Sequence, residues 1–306
     1  MGHIKRNKCN STRTCALIVA YNPDIHVLRK VLSSLAVNVE KIFVFDNTVS
    51  DFSSENYKFC LDVPLQVFSK SENIGIAAAQ NLLLKKAQEE GFDFSIMSDQ
   101  DTIFPAAYAS DLIKYCFDRD DVAAVCPGWV DVNLLGEEKY PGQYIFDSRM
   151  RLKIDRDESK ILEVAHAISS GMVVNMRLLR QVGLMNEDLF IDWVDNEWCW
   201  RARASGLVLL AVPSVKVRHT LGDCTVKVFG KNFVKRGVMR NFYIIRNAIY
   251  LVINSPIPLS ARAYLAKKAI HHTIFSLIVS SNKFVELRWL ARAWLHGLQG
   301  KLGKVL

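Results

Sequence analysis

Phe94-Ser95-Ile96-Met97-Ser98-Asp99-Gln100-Asp101-Thr102 decides how this chain is read. An apolar run of strand length ends directly on two carboxylates one residue apart. At the C-terminal end of a buried strand, such a pair can converge on one hard cation. Carboxylate oxygens suit Mg²⁺ or Mn²⁺, ions that keep open positions for substrate phosphates. An Asp-x-Asp triplet also serves as an ordinary turn before a helix, so its neighbours along the chain carry the weight.

Working outward from it, the first 130 residues alternate. Cys15–Ala20, Ile42–Phe45, Leu65–Phe68, Phe94–Met97 and Val122–Cys126 are short apolar runs that predict strands. Between them, residues 24–37 carry Ile25, Leu28, Val31, Leu32 and Leu35 at helical spacing. Residues 76–90 predict a strong helix closed by Gly91, and 106–117 another. Continuous apolar strands between amphipathic helices indicate an α/β fold, a mainly parallel sheet with helices on both faces. From Trp129 to Glu163 the pattern is lost, which predicts a long loop region over a site. Order returns at 164–168 and 171–175. A helix over Asp192–Ser205 and strands at 207–212 and 215–218 follow. Beyond about residue 232 the chain reads as all helix. The division expected is 1–231, with a nucleotide-binding half over about 14–130 and an acceptor half over 131–231, followed by a helical region over 232–306.

In an open parallel sheet, ligands bind beyond the carboxyl ends of the strands. Four polar clusters follow strand ends here: Tyr21-Asn22-Pro23, Asp46-Asn47, Asn73-Ile74-Gly75 and Asp99-Gln100-Asp101. All four would lie along one rim. Asp and Asn at strand ends can hydrogen-bond a base or ribose. Gly75 at a helix entrance allows a ligand close, where the helix N-terminus favours phosphate. No G-x-G-x-x-G follows the first strand and no G-x-x-x-x-G-K-[ST] occurs. That argues against a dinucleotide dehydrogenase and a P-loop NTPase.

Composition bounds the rest. The 306 residues are 50% hydrophobic and 23% charged, and carry a formal +8. The length supports a substantial core, and the charge fits an anionic partner. The basic residues are spread along the chain without an aromatic-basic motif, so nucleic acid is not expected. Seven cysteines form no Cys-x-x-Cys pair, and Cys15 and Cys126 sit inside apolar runs. This suits reduced, buried thiols and a cytoplasmic location. No run reaches the roughly 18 apolar residues of a membrane span, and no secretory signal is read.

The ordered series Val19-Ala20-Tyr21-Asn22, Asp46-Asn47, Asn73-x-Gly75-x-Ala77-x-Ala79-x-Asn81, Asp99-Gln100-Asp101, Gly171 and Asp192-Trp193-Val194-Asp195-Asn196-Glu197-Trp198 resembles the family 2 inverting glycosyltransferases. Within them it is most similar to bacterial rhamnosyltransferases that build O-antigen or capsular polysaccharide. The resemblance covers roughly 14–250 and leaves the helical tail outside. It implies a GT-A fold, a nucleotide-sugar donor and a divalent metal, Mg²⁺ or Mn²⁺. Tyr21, Asp46 and Asn73 are then nucleotide contacts, with Asn22, Asn47, Gly75 and Asn81 on the same donor side and Arg246 near the diphosphate. Asp99 binds ribose or metal, Asp101 is the main metal ligand, and His219 completes the metal or diphosphate site. The catalytic base is Asp195, with Asp192 as the alternative, because Val194 stands where the family usually has Glu. Gly171, Trp193 and Arg201 fall on the acceptor side. The implied donor is dTDP-L-rhamnose and the implied acceptor a lipid-linked saccharide; the alternatives are another donor, a UDP-hexose or galactofuranose, or a non-catalytic nucleotide-binding partner in a polysaccharide assembly complex.

Residue spacing adds three further readings. On a helix starting at Asp192, residues 192 and 195 share a face, and Glu197 and Arg201 suit an i,i+4 pair. Residues 284, 287, 290, 291, 294, 295 and 298 fall on one helical face, with Arg288 and Arg292 elsewhere and Lys301 and Lys304 beyond. Such a helix can lie peripherally on an anionic membrane, here the inner face of a bacterial inner membrane. It can equally pack on the main body, or on a second subunit in a homo-oligomer.

Overall fold

Cys15 to Ala20 and Ile42 to Asp46 present buried residues to both sides, as strands of a sheet covered on both faces do. The computed structural model describes residues 12–49, 57, 59, 61–117, 119–131, 140–219, 225–228, 231–234 and 236–305. Strands β1 (Thr14–Ala20), β2 (Lys41–Asp46), β3 (Leu65–Ser69) and β4 (Phe94–Asp99) run parallel. Helices α1 (Ile25–Ala36) and α2 (Ile76–Glu89) make the crossovers. Asp24 caps α1 by accepting from the amides of His26 and Val27. Gly91, at φ +73°, ends α2 as its position predicts.

The sheet continues through β5 (Thr102–Ile103), β6 (Val122–Asp131), β9 (Leu162–Glu163), β10 (Val173–Asn175) and β11 (Val208–His219). Its order is β3-β2-β1-β4-β10-β6-β11-β5, with β9 on β11. β10 is antiparallel to β4 and β6. Helices α3 (Tyr108–Ile113), α4 (Leu179–Val182) and α5 (Val194–Ala204) lie between these strands in the chain. α3 ends earlier than its pattern predicts, passing into a 3₁₀ turn at Lys114–Cys116.

Several expectations are corrected. The 129–163 stretch is not one loop: β6 runs on to Asp131, and β7 (Gln143–Phe146) pairs with β8 (Leu152–Asp155). Four-residue strands with polar alternation leave no apolar run to read. Residues 207–218 form one strand instead of two, because a register shift between Val212 and Lys216 absorbs Pro213. The tail is not all helix beyond 232, since β12 (Thr225–Val228) and β13 (Lys231–Val234) form a hairpin first.

Three helices close the chain: α6 (Val238–Asn254), α7 (Leu259–Val279) and α8 (Lys283–Gln299). Phe242, Ile245 and Ala248 of α6 join the same buried cluster as Leu83 and Trp198. α7 and α8 both pack on α6. The buried stripe of α8 is Glu286, Leu290, Ala293 and Gly297, so the apolar face read from sequence is split. Leu290 points inward, whereas Phe284, Leu287, Leu295 and Leu298 stay exposed. Among the described residues, no helix is long and apolar enough to cross a membrane. Cys15, Cys116, Cys126 and Cys199 are free and buried, and burial pushes the Cys126 thiol up to about 12. Cys9, Cys60 and Cys224 lie outside the described residues.

Candidate active site

The register sets the rim. Val19 pairs with Asp99 and Ala20 with Asp46, so Tyr21, Asp46-Asn47 and Asp99 emerge side by side. The backbone amide of Tyr21 donates to Gln100 Oε1 at 2.7 Å, and Gln100 Nε2 returns a bond to the Tyr21 carbonyl at 3.3 Å. Gln100 thereby ties the turn between the two carboxylates to the end of β1, where the Tyr21 side chain is exposed. Asn22 takes φ +44°, and its amide bonds Thr48.

Asp46 is buried and accepts from the Thr48 amide and, at 2.7 Å, from the Tyr57 hydroxyl. Asn47 Oδ1 accepts from the Ile74 amide, and Asn73 Oδ1 from the Gly75 amide. Both side chains shape the loop that enters α2. The α2 entrance itself differs from expectation. Its Ile76 amide donates to the Phe190 carbonyl at 2.8 Å, with Ala77 at 3.5 Å. A Cβ on Gly75, at φ +82°, would meet the Phe190 ring at 2.5 Å and its carbonyl oxygen at 2.7 Å. Gly75 therefore admits Phe190, whose carbonyl takes the Ile76 and Ala77 amides that would otherwise face a phosphate.

Asp99 and Asp101 flank the turn between β4 and β5. Thr102, the next residue, pairs in register with His219 at the end of β11. The His219 backbone is thus beside the turn, while its side chain lies outside the described residues. Among the described residues, no group of three His, Cys, Asp or Glu side chains gathers to hold a metal. Two carboxylates at a strand end remain the fitting donor set. That is the chemistry of an ion that completes its shell with water and substrate phosphates.

The second half of the site is joined to the first by Ser169-Ser170. Thr102 Oγ1 and Ser170 Oγ are 2.5 Å apart, and the Ser169 amide donates to Asp195 Oδ2 at 3.1 Å. Asp195 sits in the first turn of α5, with Oδ1 on the Asn196 amide at 2.8 Å. Burial raises its pKa to about 6. The Asn196 and Ser169 amides pull it back, and Asp99 and Asp192 push it further. Asp195 thus stands near enough to Asp99 to sense its charge. Ser169-Ser170 escaped the sequence reading, and its only signal is a polar pair before Gly171.

Asp192 is not on α5, which starts at Val194, so the shared helical face of 192 and 195 does not exist. Asp192 and Trp193 instead hold φ +64°, with Phe190 at +65°. Three non-glycine residues in the left-handed region cost of order 1–3 kcal/mol each and persist only where contacts enforce them. α6 supplies those contacts. Asn247 Nδ2 donates to the carbonyls of Leu189 (2.9 Å), Ile191 (2.8 Å) and Asp192 (3.1 Å). Trp193 Nε1 donates to the Ile244 carbonyl at 2.9 Å, and Arg240 reaches Asp192 Oδ1 at 3.4 Å. The stretch 189–193 is clamped between the α2 entrance and α6.

The remaining expected site residues are placed inside the fold. Arg246 is fully buried and donates to Asn247 and to the carbonyls of Leu189 and Gly303. Asn81 is buried on Met185 and Glu187. Arg201 pairs with Glu197 at 2.6 Å, as their i,i+4 spacing suits, and also reaches the Val182 and Leu184 carbonyls. The Gly171 amide bonds the Met97 carbonyl, and its own carbonyl accepts from Tyr108. Their polar groups support the scaffold behind the rim.

The family model of glycosyl transferase family 2 matches residues 15–183. The chain belongs to glycosyl transferase family 2. It is 29% identical over 289 residues to the dTDP-rhamnosyl transferase RfbF of Shigella flexneri, covering 94% of this chain and 96% of that one. Solved structures agree on the fold. The S. aureus TarS crystal structure superposes with a TM-score of 0.60 at 14% identity over 94% of this chain. This chain spans about half of TarS, 49% of its length. TarS 1–349 in complex with UDP-GlcNAc gives 0.57 at 15% identity, over 93% of this chain and 81% of that one. GalNAc-T7 with UDP, GalNAc and Mn²⁺ gives 0.56 at 15% identity, over 85% of this chain and 55% of that one. The architecture is GT-A with added C-terminal helices, and the protein is a glycosyltransferase. The family match ends at 183, so Asp195 and the α6 clamp lie beyond it.

Proposed function

We propose that this glycosyltransferase moves L-rhamnose from dTDP-L-rhamnose to a hydroxyl of a lipid-linked saccharide, with inversion, at the inner face of a bacterial inner membrane. The observation that carries the reaction type is the Ser169-Ser170 bridge, which brings Asp195 to the carboxylate turn. The sugar identity draws on the likeness to the Shigella protein. In this reading Asp46, held by Tyr57, and Tyr21 take the nucleoside. Asp99 and Asp101 would hold Mg²⁺ or Mn²⁺, with His219 as the further candidate ligand, and the ion when bound would supply charge to offset that of the departing diphosphate.

The rest is done by the chain. Asp195 accepts the proton of the acceptor hydroxyl. The oxygen forms a bond to the anomeric carbon on the face opposite the leaving group. The bond from that carbon to the diphosphate oxygen breaks, and dTDP departs with the electron pair. A base is best poised near the working pH, and burial lifts Asp195 toward it. Asp192, already facing Arg240, is the less available carboxylate.

The test is a donor panel by calorimetry: dTDP-rhamnose, UDP-glucose, UDP-galactose, UDP-galactofuranose and GDP-mannose, each with Mn²⁺ and with EDTA. Metal-dependent binding confined to dTDP-rhamnose is the expected result. Binding of another donor overturns the rhamnose assignment, and binding of none overturns the donor reading.

A further inference from the structure

The charge of this chain is not evenly divided. Residues 238–306 hold ten Lys and Arg and a single acid, Glu286, a formal +9, whereas residues 1–237 sum to −1. Glu286 is buried against α6, with Asn241 Nδ2 at 3.4 Å. The C-terminal segment therefore accounts for the net positive charge of the protein and presents no acidic side chain to solvent.

The same helices expose apolar side chains in order. On α7, Ile270, Ile274 and Ile278 recur every fourth residue and are 50%, 55% and 51% exposed. On α8, Phe284, Leu287 and Leu295 are 79%, 56% and 51% exposed. The two helices are joined by a three-residue turn and lie against each other, with Trp294 Nε1 donating to Thr273 Oγ1 at 3.0 Å across the seam. At 3.6 residues per turn, each apolar stripe begins beside that seam and lies on the side away from the stripe buried toward α6. The stripes thus form one outer face across both helices. Lys267, Arg288, Arg292 and Lys301 are exposed around it.

We propose that this outer face of the α7–α8 hairpin lies on an anionic phospholipid bilayer. Apolar side chains enter the interface while the surrounding cations meet lipid phosphates. Charge selects this occupant over a second copy, because two such faces apposed would bring the exposed Lys267, Arg288, Arg292 and Lys301 of each together without an acidic side chain to pair them. The inference deepens the proposed reading, on which it rests for the lipid-bound acceptor. Its own evidence is independent of the donor site.

The full chain is mixed with vesicles of phosphatidylglycerol plus phosphatidylcholine, or phosphatidylcholine alone, and sedimented. Binding at least ~10-fold tighter to the anionic vesicles, weakening as salt rises, is expected. The double variant Ile274→Glu/Leu287→Glu should lose ~10-fold or more of that binding. Arg288→Gln/Arg292→Gln, which leaves every apolar contact in place, should lose a smaller part. Nucleotide binding and melting temperature report that each variant is folded. Equal sedimentation with both vesicle types, or undiminished sedimentation of both variants, overturns the proposal. So does a wild-type dimer, seen by light scattering, that Ile274→Glu/Leu287→Glu splits. Vesicle binding without any nucleotide-sugar binding would sink the transferase reading and leave this one standing.

Discussion

The rim at the end of β1, β2 and β4 and the stretch 189–195, the two halves of the proposed site, are built differently. The rim takes its position from parallel strand register, which aligns Val19 with Asp99 and Ala20 with Asp46. The 189–195 stretch takes its position from distant partners: Phe190 on the α2 entrance, Asn247 and Ile244 of α6, and Ser169 on Asp195. A site can thus have one half that is local and robust and another half held in strained backbone by tertiary bonds. Changes to the first should read out in donor binding, and changes to the second in turnover.

The largest effect should come from Asp195→Asn. Loss of a positioned base costs about 10²–10⁴-fold in kcat, with donor affinity retained. Near-normal turnover, or lost donor binding, breaks the division between the halves. The same variant has a stability signature. A raised carboxyl pKa means the folded state holds its proton more tightly than the unfolded one. The stability contribution is full below pH about 4 and is lost as pH rises through about 6. Asp195→Asn should therefore be more stable to unfolding than wild type at pH 8, by up to about 2–3 kcal/mol, and equally stable near pH 4.

The second effect is the wild-type pH profile. Asp195 must be ionised to act, so kcat/KM should fall on the acid side with a midpoint near 6. Donor binding titrating with the same midpoint would blur the comparison. A third and smaller effect sharpens it. Asn247→Leu removes three bonds to the 189–192 carbonyls, and stranding buried acceptors costs about 1–3 kcal/mol. Turnover should drop roughly tenfold, with donor Kd little changed. An unchanged kcat in a destabilised protein would reduce the clamp to scaffold. The smallest effect should be Tyr57→Phe, which removes the hydroxyl on Asp46. Donor Kd should weaken by less than about tenfold, with kcat intact.

The first 130 residues were legible because buried strands and amphipathic helices alternate, and each polar cluster follows a strand end. The second half was less so. Asp192 reads as a helical residue because nothing in Asp192-Trp193-Val194-Asp195 announces positive φ at two non-glycine positions. Asn81, Arg201 and Arg246 carry polar groups that could face a ligand or the interior. Each faces the interior, because it satisfies buried carbonyls or a buried carboxylate. Gly75 marks a close approach correctly, but the group that approaches is Phe190.

By itself, then, the sequence determined the strands β1–β4, the polar clusters at their ends and the amphipathic character of the tail, because periodicity and strand-end chemistry act over a few residues. The tertiary structure decided which carboxylate stands beside the Asp99–Asp101 turn, what holds the strained 189–193 stretch, and which faces of α7 and α8 stay exposed. Those depend on partners tens of residues away, and the hydrogen-bonding and packing needs of buried groups select them only once the chain has closed on itself.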